Sequence, residues 1–382
     1  MLCLRGATAL TPSHPIPDSA VLIEGERVVA LGALTEVPCP DQAEIVEADG
    51  LLLAPGFIDL QLNGAFGHDF TTEPAAIWAA AARLPQYGVT AFLPTIITAP
   101  NDAYRRAQAA LHAGPPPGFS GALPLGLHLE GPFLNPEKRG AHNPAYLRQP
   151  DVESIADWSP ENGVQLVTLA PELPGALAVI RALCERGVTV SVGHSLAGYE
   201  EMRAGLDAGL RYATHLFNAM RPLDHRSPGL LGALLTETRL VAGLIADGVH
   251  VHPSVVDVAW RCKGATGLTL VTDGMAALGM PPGRYHLGEA LATVDDTSAR
   301  LSDGRLAGSI LSLDRAVRNL IAFTGCSVAD ALRTVSETPA CLLGLTDRGR
   351  LAPGYRADLV LLTNDLRVAA TFVGGVCVYA AT

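Results

Sequence analysis

The sequence predicts an α/β fold, a (β/α)8 barrel of the TIM type joined to a small β domain. Three observations lead to this prediction. Eight apolar runs follow one another from Gly56 onward, separated by segments with helical periodicity. Three of those segments stop at glycine, which ends helices because it adopts the left-handed conformation without a Cβ clash. The first 55 and the last 32 residues show short strand patterns instead.

The apolar runs have the length and composition of buried strands in a parallel sheet. They lie near residues 57–62, 89–97, 123–129, 165–170, 188–193, 212–217, 241–246 and 268–272. Between them, helices are expected at 73–87, 173–186 and 196–208. Eight such units predict a closed barrel, whose active site lies at the carboxyl ends of the strands.

The two ends of the chain predict a second domain. Strand patterns occur at 20–24 and 27–31 near the start, and at 357–362 and 368–373 near the end. Neither half can bury a sheet face alone, so we expect residues 1–55 and 351–382 to pair into one small β-sandwich. Residues 56–350 then form the barrel.

The composition favours a cytoplasmic enzyme. The chain has 382 residues, of which 48% are hydrophobic, and a formal net charge of −11. It has no basic block, so nucleic acid is a poor partner, and no apolar run reaches the roughly 18 residues that a membrane span needs. Seven cysteines without a C-x-x-C spacing predict free thiols, and the N-terminus lacks the pattern of a signal peptide.

Four strand ends carry side chains suited to a hydrolytic metal site. Glu130, His194 and His215 end the third, fifth and sixth predicted strands, and Asp273 ends the eighth. Imidazoles and carboxylates bind divalent cations, and side chains on neighbouring strands about 4.8 Å apart can converge on one ion. We expect the first three residues to bind the metal and Asp273 to accept and return protons.

Each of these residues could instead have a purely structural role. A single His in a barrel is more often a hydrogen-bonded structural residue than a ligand, and Asp273 could cap the loop that follows it. His128 faces the same way as Glu130, two residues along the strand, and we expect it to pack beside the site. Arg226 lies in a loop rich in Pro and Gly, where it could bind an anion or remain solvated.

Longer motifs resemble those of the N-acetylglucosamine-6-phosphate deacetylase family, within the amidohydrolase superfamily. The resemblance runs nearly end to end, and its most specific strings are H-L-E-G-P-F and T-H-L-F-N-A-M. The similar segments are 55–64, 128–132, 140–144, 193–195, 214–220, 245–250, 271–274 and 306–309.

The resemblance implies hydrolysis of N-acetyl-D-glucosamine 6-phosphate to D-glucosamine 6-phosphate and acetate. It implies the same metal ligands, Asp273 as general base and acid, and His142 polarising the acetyl carbonyl. It also implies a homodimer in which the partner subunit can supply an arginine and a histidine. The residues implied in substrate binding are Ala141, His142, Asn218, Ala219, Arg226, His250, Leu306, Ala307 and Gly308.

One departure concerns the number of metal ions. Most amidohydrolases open the barrel with His-x-His, where this chain has Gln61-x-Asn63. Amides bind zinc less well than imidazoles, so we expect one divalent transition metal ion per subunit. Zn²⁺ is the first choice, with Fe²⁺, Co²⁺ and Mn²⁺ as alternatives, and Gln61, Asn63 and His128 lie beside the ligands.

Two other functions stay open. One is the same chemistry on another amide, such as N-acetylgalactosamine 6-phosphate, an N-acyl amino acid or a cyclic amide. The other is a non-catalytic scaffold that retains the barrel, against which the complete set of Glu, two His and Asp argues.

Overall fold

The computed structural model describes residues 1–381. Seven strands come first: β1 (Leu2–Arg5), β2 (Thr8–Leu10), β3 (Pro15–Ile16), β4 (Ser19–Glu24), β5 (Arg27–Ala33), β6 (Glu44–Glu47) and β7 (Leu52–Pro55). One four-stranded sheet has the order β5-β4-β1-β6. In a second sheet, β2 pairs with β3 and β7.

The barrel follows. Its strands, with three short neighbours, are β8 (Phe57–Leu62), β9 (Gly64–Ala65), β10 (His68–Asp69), β11 (Val89–Ile97), β12 (Leu123–Pro124), β13 (Leu127–Glu130), β14 (Val164–Leu169), β15 (Thr189–Val192), β16 (Tyr212–Ala213), β17 (Val241–Leu244) and β18 (Leu268–Leu270). β8, β11 and β13 to β18 pair in parallel in chain order. The Asp273 backbone N–H donates to the Gln61 carbonyl over 2.9 Å, which brings the last strand back to the first. The predicted eight-stranded barrel is confirmed.

Helices cover the outside of the barrel. They are α1 (Ile77–Ala81), α2 (Asn101–His112), α3 (Ala176–Glu185), α4 (Tyr199–Ala208), α5 (Gly229–Thr236), α6 (Pro253–Gly267), α7 (Leu313–Thr324), α8 (Val328–Arg333) and α9 (Glu337–Leu342). The single helix expected at 73–87 is instead split, with 3₁₀ turns on both sides of α1, since Pro85 has no N–H to donate. None of the helices within residues 1–381 has the length and hydrophobicity that crossing a membrane requires.

Six further strands complete the fold: β19 (Gly283–Leu287), β20 (Ala290–Val294), β21 (Ala299–Arg300), β22 (Leu359–Leu362), β23 (Val368–Val373) and β24 (Val376–Ala380). The first three form a separate sheet that the sequence did not predict. β22 pairs antiparallel with β7, with Leu361 opposite Leu53, so both ends of the chain share one sheet. Leu4, Ile23 and Phe372 are among the side chains that form the apolar core of this region.

One cysteine prediction was wrong. Cys3 and Cys39 form a disulfide, with Cα atoms 6.0 Å apart, a spacing that such a bond can span. The parallel pairing of β1 with β6 brings the segment before β6 close to β1, which no local pattern reveals. The other cysteines of the described residues are free thiols: Cys184, Cys262, Cys326, Cys341 and Cys377.

Candidate active site

Three potential metal ligands converge at the carboxyl ends of the barrel strands. Glu130 is the last residue of β13. His194 lies two residues after the end of β15, and His215 lies two residues after the end of β16. The Glu130 Oε1 atom lies 3.2 Å from His194 Nε2 and 2.9 Å from His215 Nε2. The two Nε2 atoms are 3.0 Å apart, and all three side chains are buried.

This donor set fits a divalent cation. The His194 Nδ1 atom lies 2.7 Å from the Lys138 carbonyl oxygen, which only accepts hydrogen bonds, so Nδ1 carries the proton and Nε2 offers a lone pair. Burial works to raise the pKa of Glu130, but the neighbouring imidazoles of His194 and His215 hold it well below its usual range. One ionised carboxylate and two imidazole nitrogens, all within 4.8 Å, match the ligands of zinc and related cations.

Three site residues share an unusual backbone. The φ angles of His194, His215 and Asp273 are 50°, 33° and 48°, in the left-handed region that residues with a Cβ rarely adopt. Each such residue costs of order 1–3 kcal/mol and persists only where its surroundings fix it. At His194, the Asn135 backbone N–H donates to the carbonyl oxygen over 3.0 Å. The left-handed backbone ends the extended conformation at these positions and fixes the direction of the three side chains.

Hydrogen bonds hold the Asp273 carboxylate through its Oδ1 atom. Its Oδ1 atom accepts hydrogen bonds from Gln61 Nε2 over 3.0 Å and Asn63 Nδ2 over 2.7 Å. Burial, together with the negative charge of Glu130, raises the pKa of Asp273 to about 6. A cation bound beside it would act in the opposite direction. A carboxylate in this range can exchange protons near neutral pH.

His142 presents an N–H group towards the same centre. The Thr98 backbone N–H donates to His142 Nδ1 over 3.2 Å, so the neutral ring carries its proton on Nε2. That Nε2 atom lies 3.8 Å from Glu130 Oε2. Burial and the neighbouring His194 lower the pKa of His142 to about 3, which keeps the ring neutral.

A cavity of about 300 Å³ opens above these residues. Most residues predicted for the site line it, namely Asn63, Glu130, Ala141, His142, His194, His215, Asn218, Ala219, His250, Asp273, Leu306 and Gly308. His250 donates from Nδ1 to Asp247 Oδ2 over 2.6 Å, and its Nε2 atom has no hydrogen-bond partner within residues 1–381.

Four predicted residues do not line the cavity. Gln61 and Ala307 are fully buried behind it. His128 is buried between Thr95 and Thr168, which it contacts at 3.2 and 2.7 Å. Arg226 lies on an exposed loop, where its backbone N–H donates to Asp224.

The cavity also has lining residues that the sequence reading missed: Ile97, Glu137, Lys138, Gly140, Leu287 and Arg305. The Arg305 guanidinium pairs with Asp303 and donates to the Gly140 carbonyl. The position of Arg305, directly before the segment 306–309 that was assigned to the site, could have indicated its place in the cavity. Leu287 carried no signal, because it belongs to the sheet that was not predicted.

A (β/α)8 barrel with this Glu–His–His cluster and an Asp beyond its last strand defines an amidohydrolase. The sequence pattern of the amidohydrolase family matches residues 52–378. N-acetylglucosamine-6-phosphate deacetylase from Homo sapiens is 44% identical over 356 residues, covering 88% of this chain and 85% of that protein. The enzyme of the same name from Lysinibacillus sphaericus is 40% identical over 377 residues, with 98% and 97% covered.

A solved structure agrees. It is a variant of the N-acetyl-D-glucosamine-6-phosphate deacetylase from Mycobacterium smegmatis in complex with N-acetyl-D-glucosamine-6-phosphate. It superposes with a TM-score of 0.91 at 36% identity, with 99% of each chain covered. The chain belongs to the N-acetylglucosamine-6-phosphate deacetylases of the amidohydrolase family.

Proposed function

We propose that this chain hydrolyses the N-acetyl group of N-acetyl-D-glucosamine 6-phosphate, giving D-glucosamine 6-phosphate and acetate. The observation that carries the proposal is the buried cluster of Glu130, His194 and His215 beside Asp273 in one cavity. The sugar phosphate is supported by relatives that bear this activity in their names and by the M. smegmatis protein, which binds it.

A divalent cation held by Glu130, His194 and His215 would lower the pKa of a water molecule and polarise the amide carbonyl. We propose one such ion per chain, with Zn²⁺ first and Fe²⁺, Co²⁺ or Mn²⁺ as alternatives. Gln61 and Asn63 occupy the place of an imidazole pair, and their amide nitrogens already donate to Glu130 and Asp273, which supports a single ion.

The protons move through the chain's own residues. Asp273 accepts a proton from the water that adds to the carbonyl carbon, and then returns it to the amine nitrogen as the C–N bond breaks. His142 donates a hydrogen bond from its Nε2–H group to the carbonyl oxygen, where negative charge develops. Because the pKa of His142 is about 3, this residue stays a neutral donor at neutral pH.

The rest of the cavity suits the sugar. We assign sugar contacts to Ala141, Asn218, Ala219 and Leu306, with Gly308 and the buried Ala307 shaping the wall. His250 binds the phosphate together with an Arg226 that the partner subunit of a homodimer supplies. A dianion does not cross a bilayer unaided, so we propose that the enzyme acts in the cytoplasm, where the membrane would retain its charged substrate.

Steady-state acetate release tests the function. With the metal-loaded chain, kcat/KM should be highest for N-acetyl-D-glucosamine 6-phosphate and lower for the galactosamine epimer and for unphosphorylated N-acetylglucosamine. The control variant, His194→Ala, should lose both metal and activity. Faster hydrolysis of an N-acyl amino acid or a cyclic amide would move the chain to another substrate. A fully loaded protein inactive on the whole panel would be a scaffold.

Metal analysis tests the ion count. After dialysis, the purified chain should retain about one equivalent of a transition metal, since residues 1–381 contain one complete ligand set. Two equivalents that resist dialysis would contradict the single-ion proposal.

A further inference from the structure

Two amide side chains at the end of β8 are buried against the reactive carboxylates. Gln61 and Asn63 are 0% and 1% exposed. The Gln61 Nε2 atom lies 3.1 Å from Glu130 Oε1 and 3.0 Å from Asp273 Oδ1. The Asn63 Nδ2 atom lies 2.7 Å from the same Asp273 oxygen. Ionised carboxylates only accept hydrogen bonds, so the amide nitrogens must face them.

These contacts make the two oxygens of Asp273 unequal. Oδ1 accepts two hydrogen bonds from neutral donors, while Oδ2 has no hydrogen-bond partner among the side chains of residues 1–381. An oxygen with two donors is poorly placed to take another proton. The amide pair therefore leaves Oδ2 as the oxygen that exchanges protons, and it fixes the carboxylate in one orientation.

The amide oxygens complete the pattern. Gln61 Oε1 and Asn63 Oδ1 are buried, and neither has a partner within residues 1–381. A buried acceptor without a donor is unfavourable, so the Oδ1 atom of Asn63, a residue that lines the cavity, requires an N–H or O–H group bound there. The water molecule that Asp273 deprotonates has such a group, because it carries a second O–H.

We propose that Gln61 and Asn63 are positioning residues for proton transfer. They hold Asp273 by Oδ1, so that Oδ2 faces the reacting atoms, and Asn63, which lines the cavity, accepts a hydrogen bond at its Oδ1 atom from the water's second O–H. In amidohydrolases with imidazoles in place of Gln61 and Asn63, a second cation can bind the aspartate. In this chain the neutral amide groups hold Asp273 by hydrogen bonds and add no charge. This inference rests on the proposed role of Asp273.

Closing the barrel does not require these side chains. The backbone already joins β8 to the segment after β18, since Asp273 N–H donates to the Gln61 carbonyl and Asn63 N–H donates to the Gly274 carbonyl over 2.8 Å. Asp59 adds a side-chain link below them, accepting from the Thr272 hydroxyl over 2.5 Å. Replacing the amide groups should therefore leave the fold intact.

Asn63→Leu is the sharper test, because the Asn63 side chain donates to Asp273 alone, whereas Gln61 also donates to Glu130. The variant should keep its metal equivalents and melting temperature, with KM nearly unchanged. Its kcat should fall about 10- to 100-fold, as expected for losing a hydrogen bond to a charged group. Gln61→Met should behave similarly. Gln86→Met, in the 3₁₀ turn before β11, is the matched control and should match wild-type kcat.

A double-mutant cycle identifies the route of the effect. In an Asp273→Asn background, Asn63→Leu should change kcat less than about twofold, because the carboxylate that it positions is gone. Equal losses in both backgrounds would overturn the proposal, as would loss of metal in Asn63→Leu. The cycle uses whichever substrate of the panel the wild type hydrolyses fastest, so that a wrong sugar assignment leaves it valid.

A crystal structure of each protein adds a readout independent of activity. Asp273 should hold one rotamer in the wild type and populate a second rotamer in Asn63→Leu. A single, unchanged rotamer in the variant would show that the amide does not position the carboxylate.

Discussion

Asp273 shows at the scale of one residue how burial, backbone and hydrogen bonds combine. It is 9% exposed, its backbone is left-handed, and Oδ1 accepts two hydrogen bonds while Oδ2 accepts none from residues 1–381. Asp273→Asn should retain fold and metal but lose turnover by roughly 10²–10⁴-fold, since an amide cannot accept the proton from water. Metal analysis and kcat measured on the same sample check this. A variant with bound metal and near-normal kcat would assign the proton transfer to another residue.

Asp59 provides a residue-scale prediction about pH. It is fully buried, and burial raises its pKa from 3.8 to about 7. Between those pH values the folded chain binds more protons at Asp59 than the unfolded chain does, so stability falls as pH rises through this window. The slope contributed by one group is at most about 1.4 kcal/mol per pH unit.

Asp59→Asn should remove this contribution. Urea unfolding of the metal-free proteins at pH 5 and pH 7 should show a larger loss of stability on going to pH 7 in the wild type than in the variant. Asp41→Asn, at an exposed position, serves as the control. Identical pH dependence in all three proteins would mean that Asp59 is ionised in the folded state throughout this range.

Loops after neighbouring strands hold each other in place at the scale of elements. Glu172, in the loop after β14, accepts hydrogen bonds from Ser195 Oγ over 2.7 Å and from the Leu196 backbone over 2.6 Å. It also accepts from the Asn135 side chain over 2.9 Å, and Asn135 N–H in turn donates to the His194 carbonyl. Hydrogen bonds thus link three loops around His194, a proposed metal ligand.

Removing the hydrogen bonds that Glu172 accepts should weaken metal binding. Glu172→Ala should lower the affinity for the cation about 10- to 100-fold, the range seen when groups that orient metal ligands are removed. Competition with a chelator measures this, and saturating metal should restore most of kcat. Glu200→Ala, on the exposed face of α4, should not change the affinity. Unchanged affinity in Glu172→Ala would show that His194 is held without these hydrogen bonds.

The sequence predicted some elements better than others. Barrel strands such as β11 are mostly apolar and fully buried, so composition alone identified them. β19 and β20 alternate between exposed residues and partly or fully buried ones, so they lacked that apolar composition. Helix prediction failed at 73–87 because proline interrupted a segment that otherwise favours helix.

The whole-molecule question is how the substrate phosphate is bound. Arg226 lies on an exposed loop and does not line the cavity of its own chain. If it reaches the cavity of a partner subunit, Arg226→Ala should weaken binding of the phosphorylated sugar by roughly 2–3 kcal/mol. KM for that sugar should rise strongly, while the slow reaction on unphosphorylated N-acetylglucosamine stays almost unchanged. Arg226→Lys should recover only part of the loss.

Mixing two impaired variants tests whether the site is shared. Arg226→Ala and Asp273→Asn chains, co-refolded, should regain part of the wild-type activity, because in a heterodimer both lesions can fall in one site and leave the other intact. Absence of any regain in confirmed heterodimers would place Arg226 in its own chain's site or outside both sites. Equal losses on both substrates for Arg226→Ala would make the arginine structural.

The sequence by itself determined the barrel and the identity of its strand-end side chains. Strand runs and their terminal residues are local features, so Glu130, His194, His215 and Asp273 could be named before any contact was known. Tertiary structure decided which atoms face which. Asn63 and Asp273 stand 210 positions apart and meet only because the barrel closes, and Cys3 meets Cys39 only because β1 pairs with β6. Hydrogen-bond partners, left-handed strand ends and the unequal oxygens of Asp273 depend on such long-range packing, and no local pattern encodes them.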